Sequence, residues 1–160
     1  MSIIFDSLLP VKCIFLAISD DSGAVHILYG RSTGLSGLDN TLLTQDKSIM
    51  VDYRAATGNN FGHSLAAGDT NNDGFDDLAI GVPYDSTDAG YAGIIFRAMG
   101  SSSGISEGIN LFPIGQTIMG ISDTPEGNDF FGWSLVYIPP EYHFPYHMFL
   151  PAIIGDDKSD

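Results

Sequence analysis

Displaced by 70 residues, this sequence lies over itself without a gap, residues 23–65 on residues 93–135. Ten of the 43 pairs are identical: Gly23/Gly93, Gly30/Gly100, Ser32/Ser102, Gly34/Gly104, Ser36/Ser106, Asn40/Asn110, Phe61/Phe131, Gly62/Gly132, Ser64/Ser134 and Leu65/Leu135. Chance at ordinary composition gives about three. Half of the matches are glycines and one aromatic, as expected where turns and a single core anchor define a unit. Repeated units bury their apolar faces against their neighbours, so the chain stacks repeats rather than wrapping one core. Nineteen Gly and eight Pro make those units short strands and turns, and a hydrophobic content of 44% is enough to give them a core.

The most chemically loaded stretch is residues 61–83, FGHSLAAGDTNNDGFDDLAIGVP. Within it, Asp69, Asn71, Asp73 and Asp77 stand at positions one, three, five and nine of a loop. A hard cation such as Ca²⁺ takes six to eight oxygens at about 2.3–2.6 Å, and alternate spacing lets one tight loop turn several toward a common centre. Gly74 permits the sharp turn that brings the Phe75 carbonyl and the Asp77 carboxylate to the far side. An EF-hand would need Glu at position twelve, where this chain has Ile80. The apolar, β-branched run 78–82 reads instead as a strand, which makes the loop a connection between two strands. The bland reading is an acidic surface turn that binds nothing. Four carboxylates within nine residues repel one another without a screening cation, which favours the metal.

Phe61-Gly62, the acidic loop and the Gly81-Val82-Pro83 strand end, in that order and spacing, resemble the FG-GAP repeat of integrin α-subunit propellers. The resemblance implies that each repeat makes most of one four-stranded blade, with calcium in a hairpin loop at the propeller's lower edge. It assigns the metal to Asp69, Asn71, Asp73, Phe75 through its carbonyl, and Asp77. The fold expected is therefore all-β: a fragment of a β-propeller with about two antiparallel four-stranded blades, the second degenerate. Propellers close with 4–8 blades, so further blades are needed.

Three regions follow. Residues 1–22 read as a partial N-terminal blade remnant, residues 23–135 as the repeat segment with one calcium loop, and residues 136–160 as a degenerate start of the next blade. Strands are expected over 24–29, 48–53, 61–67, 78–82, 91–98 and 116–121, with Gly/Ser-rich loops over 31–40 and 101–110. In the second copy Pro139 stands where Asp69 predicts a ligand, and Pro139-Pro140 opposes strand pairing. No second metal site is expected there.

The net charge of −14 makes nucleic acid and anionic membrane surfaces poor partners and suits bound divalent cations or simple solubility. One cysteine, Cys13, allows no intrachain disulfide, and none of the seven Asn lies in a glycosylation sequon. No apolar run approaches membrane-spanning length, and residues 1–19 lack the basic start of a signal peptide.

Other candidate sites carry less. Residues 62–66 (GHSLA) imitate a hydrolase nucleophile elbow around Ser64 but lack the final Gly and the following helix. His143 and His147 have zinc spacing with Pro145 between them, and residues 123–129 contain Pro125 and Gly127 and read as a plain turn. Cys13 reads as an inert buried thiol.

The reading is a calcium-binding, non-catalytic module for extracellular adhesion or recognition. Its partner is a protein ligand or partner subunit at the cell surface, with no membrane insertion by this chain. Two alternatives stand beside it. One is the accessory propeller of a larger secreted hydrolase, as in the glycosylphosphatidylinositol phospholipase D family. The other is a non-functional truncated product, suggested by the aberrant residues 136–150.

Overall fold

The computed structural model describes residues 3–5, 11–16, 22–31, 34–49, 53–87, 90–105, 111–116, 124–138 and 148–151. The chain is all-β. Strands β1 (Ile3–Phe5), β2 (Val11–Leu16), β3 (Ala24–Arg31) and β4 (Gly34–Leu43) make one four-stranded antiparallel sheet in sequence order. A 3-10 turn, Gln45–Lys47, follows it. The second sheet holds β5 (Ser64–Gly68), β6 (Asp77–Val82), β9 (Ile94–Ala98) and β10 (Phe112–Ile114), again antiparallel and in order. A small hairpin, β7 (Ser86–Thr87) and β8 (Gly90–Tyr91), extends the β6–β9 connection. A third sheet begins with β11 (Leu135–Ile138) paired to β12 (Met148–Pro151). The leading strands β1, β5 and β11 lie beside one another in turn. This is how successive blades of a propeller stand, and the described residues form no closed barrel.

The spacing of 70 residues carries into the backbone. Phe61 N–H donates to the Ser22 carbonyl at 2.8 Å, and Phe131 N–H to the Ala92 carbonyl at 2.8 Å. Gly23 (φ +85°) and Gly93 (φ +78°) face these two phenylalanines. A Cβ there would lie 2.2 Å from the Phe61 carbonyl oxygen and 2.4 Å from that of Phe131. Only glycine combines that left-handed φ with so close an approach, which is why this pair survives in both copies. The turns before β5 and β11 also match, with positive φ at Gly58/Asn128, Asn60/Phe130 and Gly62/Gly132. Phe130 is the costly member of that set, since a bulky side chain at φ +50° is strained. Its ring packs edge-on to Tyr84 and Trp133, at 5.5 and 5.7 Å between centroids.

Period-two alternation sorts the core. The first sheet and one face of the second enclose Val25, Ile27, Leu43, Phe61, Leu65, Leu78, Ile80, Val82, Ile94 and Phe96. The opposite face of the second sheet offers Ala66, Ala79 and Ile95 to Phe131, Leu135 and Tyr137 of the third. β6 is buried along its whole length, as a central strand covered on both faces should be.

Several expected boundaries move. The Gly/Ser-rich residues 34–40, read as loop, belong to β4, an edge strand paired to β3. The pairing skips from Leu28–Asn40 to Tyr29–Ser36, so residues 37–39 bulge outward. Phe61-Gly62 forms the turn into β5 rather than its first residues. The expected strand at 48–53 reduces to a parallel bridge between Ser48 and Leu111, with residues 50–52 outside the described part. The fourth strand of the second sheet is Phe112–Ile114, earlier than expected, and residues 117–121 lie outside the described part. The 22/23 boundary falls between β2 and β3 of one sheet. Pro139-Pro140, the histidines 143 and 147, and residues 152–155 lie outside the described residues, as does the Cys13 side chain.

Candidate metal centre

β5 and β6 pair from Ser64–Gly81 to Gly68–Asp77, which makes residues 69–76 the tip of a hairpin. Its side chains fold back onto their own backbone. Asp69 accepts from Asp73 N–H at 3.0 Å through Oδ1 and from Gly74 N–H at 2.8 Å through Oδ2. Asn71 Oδ1 accepts from the same Asp73 N–H at 3.1 Å, so the oxygens of positions one and three face one point. Asp73 Oδ1 accepts from Phe75 N–H at 2.9 Å, and Asn71 Nδ2 donates to Asp73 Oδ2 at 2.7 Å. Asn72 (φ +61°) and Gly74 (φ +87°) supply the two left-handed residues that make this winding possible.

Asp77 has a different post. It is fully buried at the start of β6. Its Oδ2 accepts from the Thr70 hydroxyl and from Thr70 N–H at 3.3 Å, and its Oδ1 from Gly100 N–H at 2.9 Å. One carboxylate thus ties the loop's entry to the turn after β9. Tyr137 of the third sheet donates its hydroxyl to the Asp69 carbonyl at 3.3 Å.

Of the five residues expected at the metal, Asp69, Asn71 and Asp73 are therefore interlinked at the exposed tip. Phe75 joins them through its N–H, and Asp77 anchors the base. No three acidic, His or Cys side chains gather into a metal-binding group among the described residues. The donor set at the tip is nevertheless all hard oxygen, the kind Ca²⁺ takes. Thr70, Gly100 and Tyr137 escaped the sequence reading. Gly100 left a signal, as a repeat-identical glycine, while Thr70 and Tyr137 left none.

The other candidates resolve simply. Ser64 is buried and donates its hydroxyl to the Gly132 carbonyl at 2.6 Å, a packing role between sheets. Asp129, in the turn 124–129, accepts from Glu126 N–H at 2.8 Å and Gln116 Nε2 at 2.7 Å, which closes the turn. At the end of the second sheet away from the acidic loop, His63, Tyr84, Tyr91, Phe130 and Trp133 form a cluster of rings. His63 and Trp133, 70 positions apart, sit 4.5 Å centroid to centroid. Tyr91 is half exposed, and burial holds the His63 imidazole below its ordinary value.

A sheet of four antiparallel strands with an acidic hairpin tip and a Phe-Gly turn locked to the preceding sheet defines a propeller blade of one particular kind. Residues 61–96 match the family model of the FG-GAP repeat, and the chain carries such a repeat there. Over 83 residues it is 34% identical to phosphatidylinositol-glycan-specific phospholipase D of Rattus norvegicus, and equally to that of Homo sapiens. The match takes in 51% of this chain and 10% of each relative, so the chain spans about a tenth of the length of these proteins. No helix among the described residues is long and apolar enough to cross a membrane.

Proposed function

We propose that this chain supplies calcium-stabilised blades to an FG-GAP β-propeller whose role is recognition of a protein partner outside the cell or at its surface. The hairpin tip carries the reading, because Asp69 Oδ1 and Asn71 Oδ1 converge on one amide beside the Asp73 carboxylate. Asp69, Asn71 and Asp73, with the Phe75 carbonyl, would hold the ion while Asp77 fixes the base. Calcium would neutralise the tip's mutual repulsion and stiffen the β5–β6 turn. Ser64, engaged with Gly132, supports a role without catalysis. The part-exposed rings at the opposite end of the sheet suit protein contact, where aromatic side chains are enriched.

Calorimetric titration of Ca²⁺ into the chain and into Asp73→Ala tests the reading. Saturable binding to one site, lost in the variant, is expected. Equal heats from both proteins would reduce the effect to diffuse attraction by an acidic surface and remove the site.

The match to two phospholipase D relatives favours a second reading, an accessory propeller beside a hydrolase. A hydrolase domain in the same polypeptide would decide for it.

A further inference from the structure

Asp85 is buried in the turn after β6, and three elements meet at its carboxylate. Gln45, in the 3-10 turn that leaves the first sheet, donates its Nε2 to Asp85 Oδ2. Asn59, in the turn before β5, shares its Nδ2 between Gln45 Oε1 at 3.0 Å and Asp85 Oδ2 at 3.4 Å. The backbone holds the carboxyl in place, through Asp85 N–H to the Val82 carbonyl at 3.2 Å and Gly93 N–H to the Asp85 carbonyl at 3.1 Å.

Neutral amides are the side-chain partners here. Asp46 and Lys47 stand next to Gln45 but are exposed, while His63 and Tyr84 turn into the ring cluster. Burial takes the carboxylate out of water and so favours its neutral acid, an effect that the two amide N–H donors on Oδ2 offset only in part.

We propose that Gln45, Asn59 and Asp85 form an acid-set latch between the first and second sheets, which tightens when Asp85 takes up a proton. Burial pushes its carboxyl up to about 6 from an ordinary 3.8, with the Gln45 hydrogen bond pulling the other way. Between those values the folded chain binds more protons at this position than the unfolded chain. Stability from this group therefore grows as pH falls through 6 toward 4 and is lost as pH rises above 6. The latch is separate from the acidic loop, which lies at the other end of β6.

Hydrogen exchange in the full chain, followed from pH 7.5 to 5 and corrected for intrinsic rates, reads the junction at the Phe61 amide, which bonds the Ser22 carbonyl. It reads the turn of Asp85 at the Gly93 amide, which bonds the Asp85 carbonyl. In the native sequence, protection is expected to rise by up to about tenfold on acidification, since pH 5 lies one unit below the raised value and each pH unit is worth a factor of about ten. Asp85→Asn keeps the shape without the charge, so its protection should vary less with pH. Equal pH dependence in both, or loosening of the native chain on acidification, overturns the latch. A carbon-13 titration of the Asp85 side chain gives a second measure, and an ordinary carboxyl value would overturn it as well.

Discussion

The two sheet junctions use the same anchor and different fillings. In the first, Phe61 enters a core of Leu65, Leu78, Ile80, Val82, Ile94 and Phe96, with the Phe61 and Phe96 rings 5.9 Å apart. In the second, Phe131 meets Ala66, Ala79 and Ile95. Backbone comes close where side chains are short. A Cβ on Gly81 would sit 2.0 Å from the Gly132 carbonyl oxygen, and one on Gly68 would sit 2.4 Å from the Tyr137 ring. Strand alternation in β5 and β6 thus sends Leu65, Leu78, Ile80 and Val82 to one side and Ala66, Ala79 and Gly81 to the other. The first junction is held by side-chain volume, the second by close fit of main chain and one aromatic.

Removing the anchors separates the two mechanisms. Phe61→Ala should cost about 3–5 kcal/mol, because a fully buried ring leaves a cavity that large, fixed neighbours cannot refill. Phe131→Ala should fall at or below the bottom of that range, since it faces alanines and has less packing to lose. Urea unfolding of both variants measures the gap. An equal or larger loss at Phe131 would mean that the second junction carries as much packing as the first.

What the sequence made legible follows the same division. The strands at 24–29 and 78–82 were readable because their apolar residues leave no alternative, and Phe61 stood out because it recurs at Phe131. β4 was not readable. Gly34 and Ser36 have turn chemistry, and only pairing to β3 makes them a strand, a long-range effect that local composition does not encode. The alternate spacing put Asp69, Asn71, Asp73 and Asp77 into one ligand set, with the Phe75 carbonyl beside them. The division between a tip of Asp69, Asn71 and Asp73 and an anchor at Asp77 depends on Gly100, 23 positions away from it. Asp85 was invisible for the same reason, since its burial comes from Gln45 and Asn59.

That division between tip and anchor can be tested without metal. Asp77→Ala leaves the part-buried Thr70 and Gly100 donors without their carboxylate and should cost on the order of 2 kcal/mol in chelator. Asp73→Ala, at the exposed tip, should stay within about 0.5 kcal/mol under the same conditions. Thermal or urea unfolding in excess chelator compares them. Similar losses would mean that the tip is structural in itself and that Asp77 has no separate role.

The smallest effect concerns how far the second junction reaches into the loop. Tyr137 donates to the Asp69 carbonyl from the third sheet, so the residue at the loop's first position is braced by the next blade. Tyr137→Phe keeps the ring against Gly68 and removes only the hydroxyl, whose hydrogen bond at 3.3 Å is long for its kind. A loss of about 0.5 kcal/mol follows, equivalent to roughly twofold weaker cation binding if the whole of it is felt at the loop. Titration of Ca²⁺ into Tyr137→Phe measures it. If binding fell as far as in Asp73→Ala, the loop would owe its shape to the neighbouring sheet rather than to its own hydrogen bonds. Cation binding would then be a property of two blades docked together, not of one hairpin.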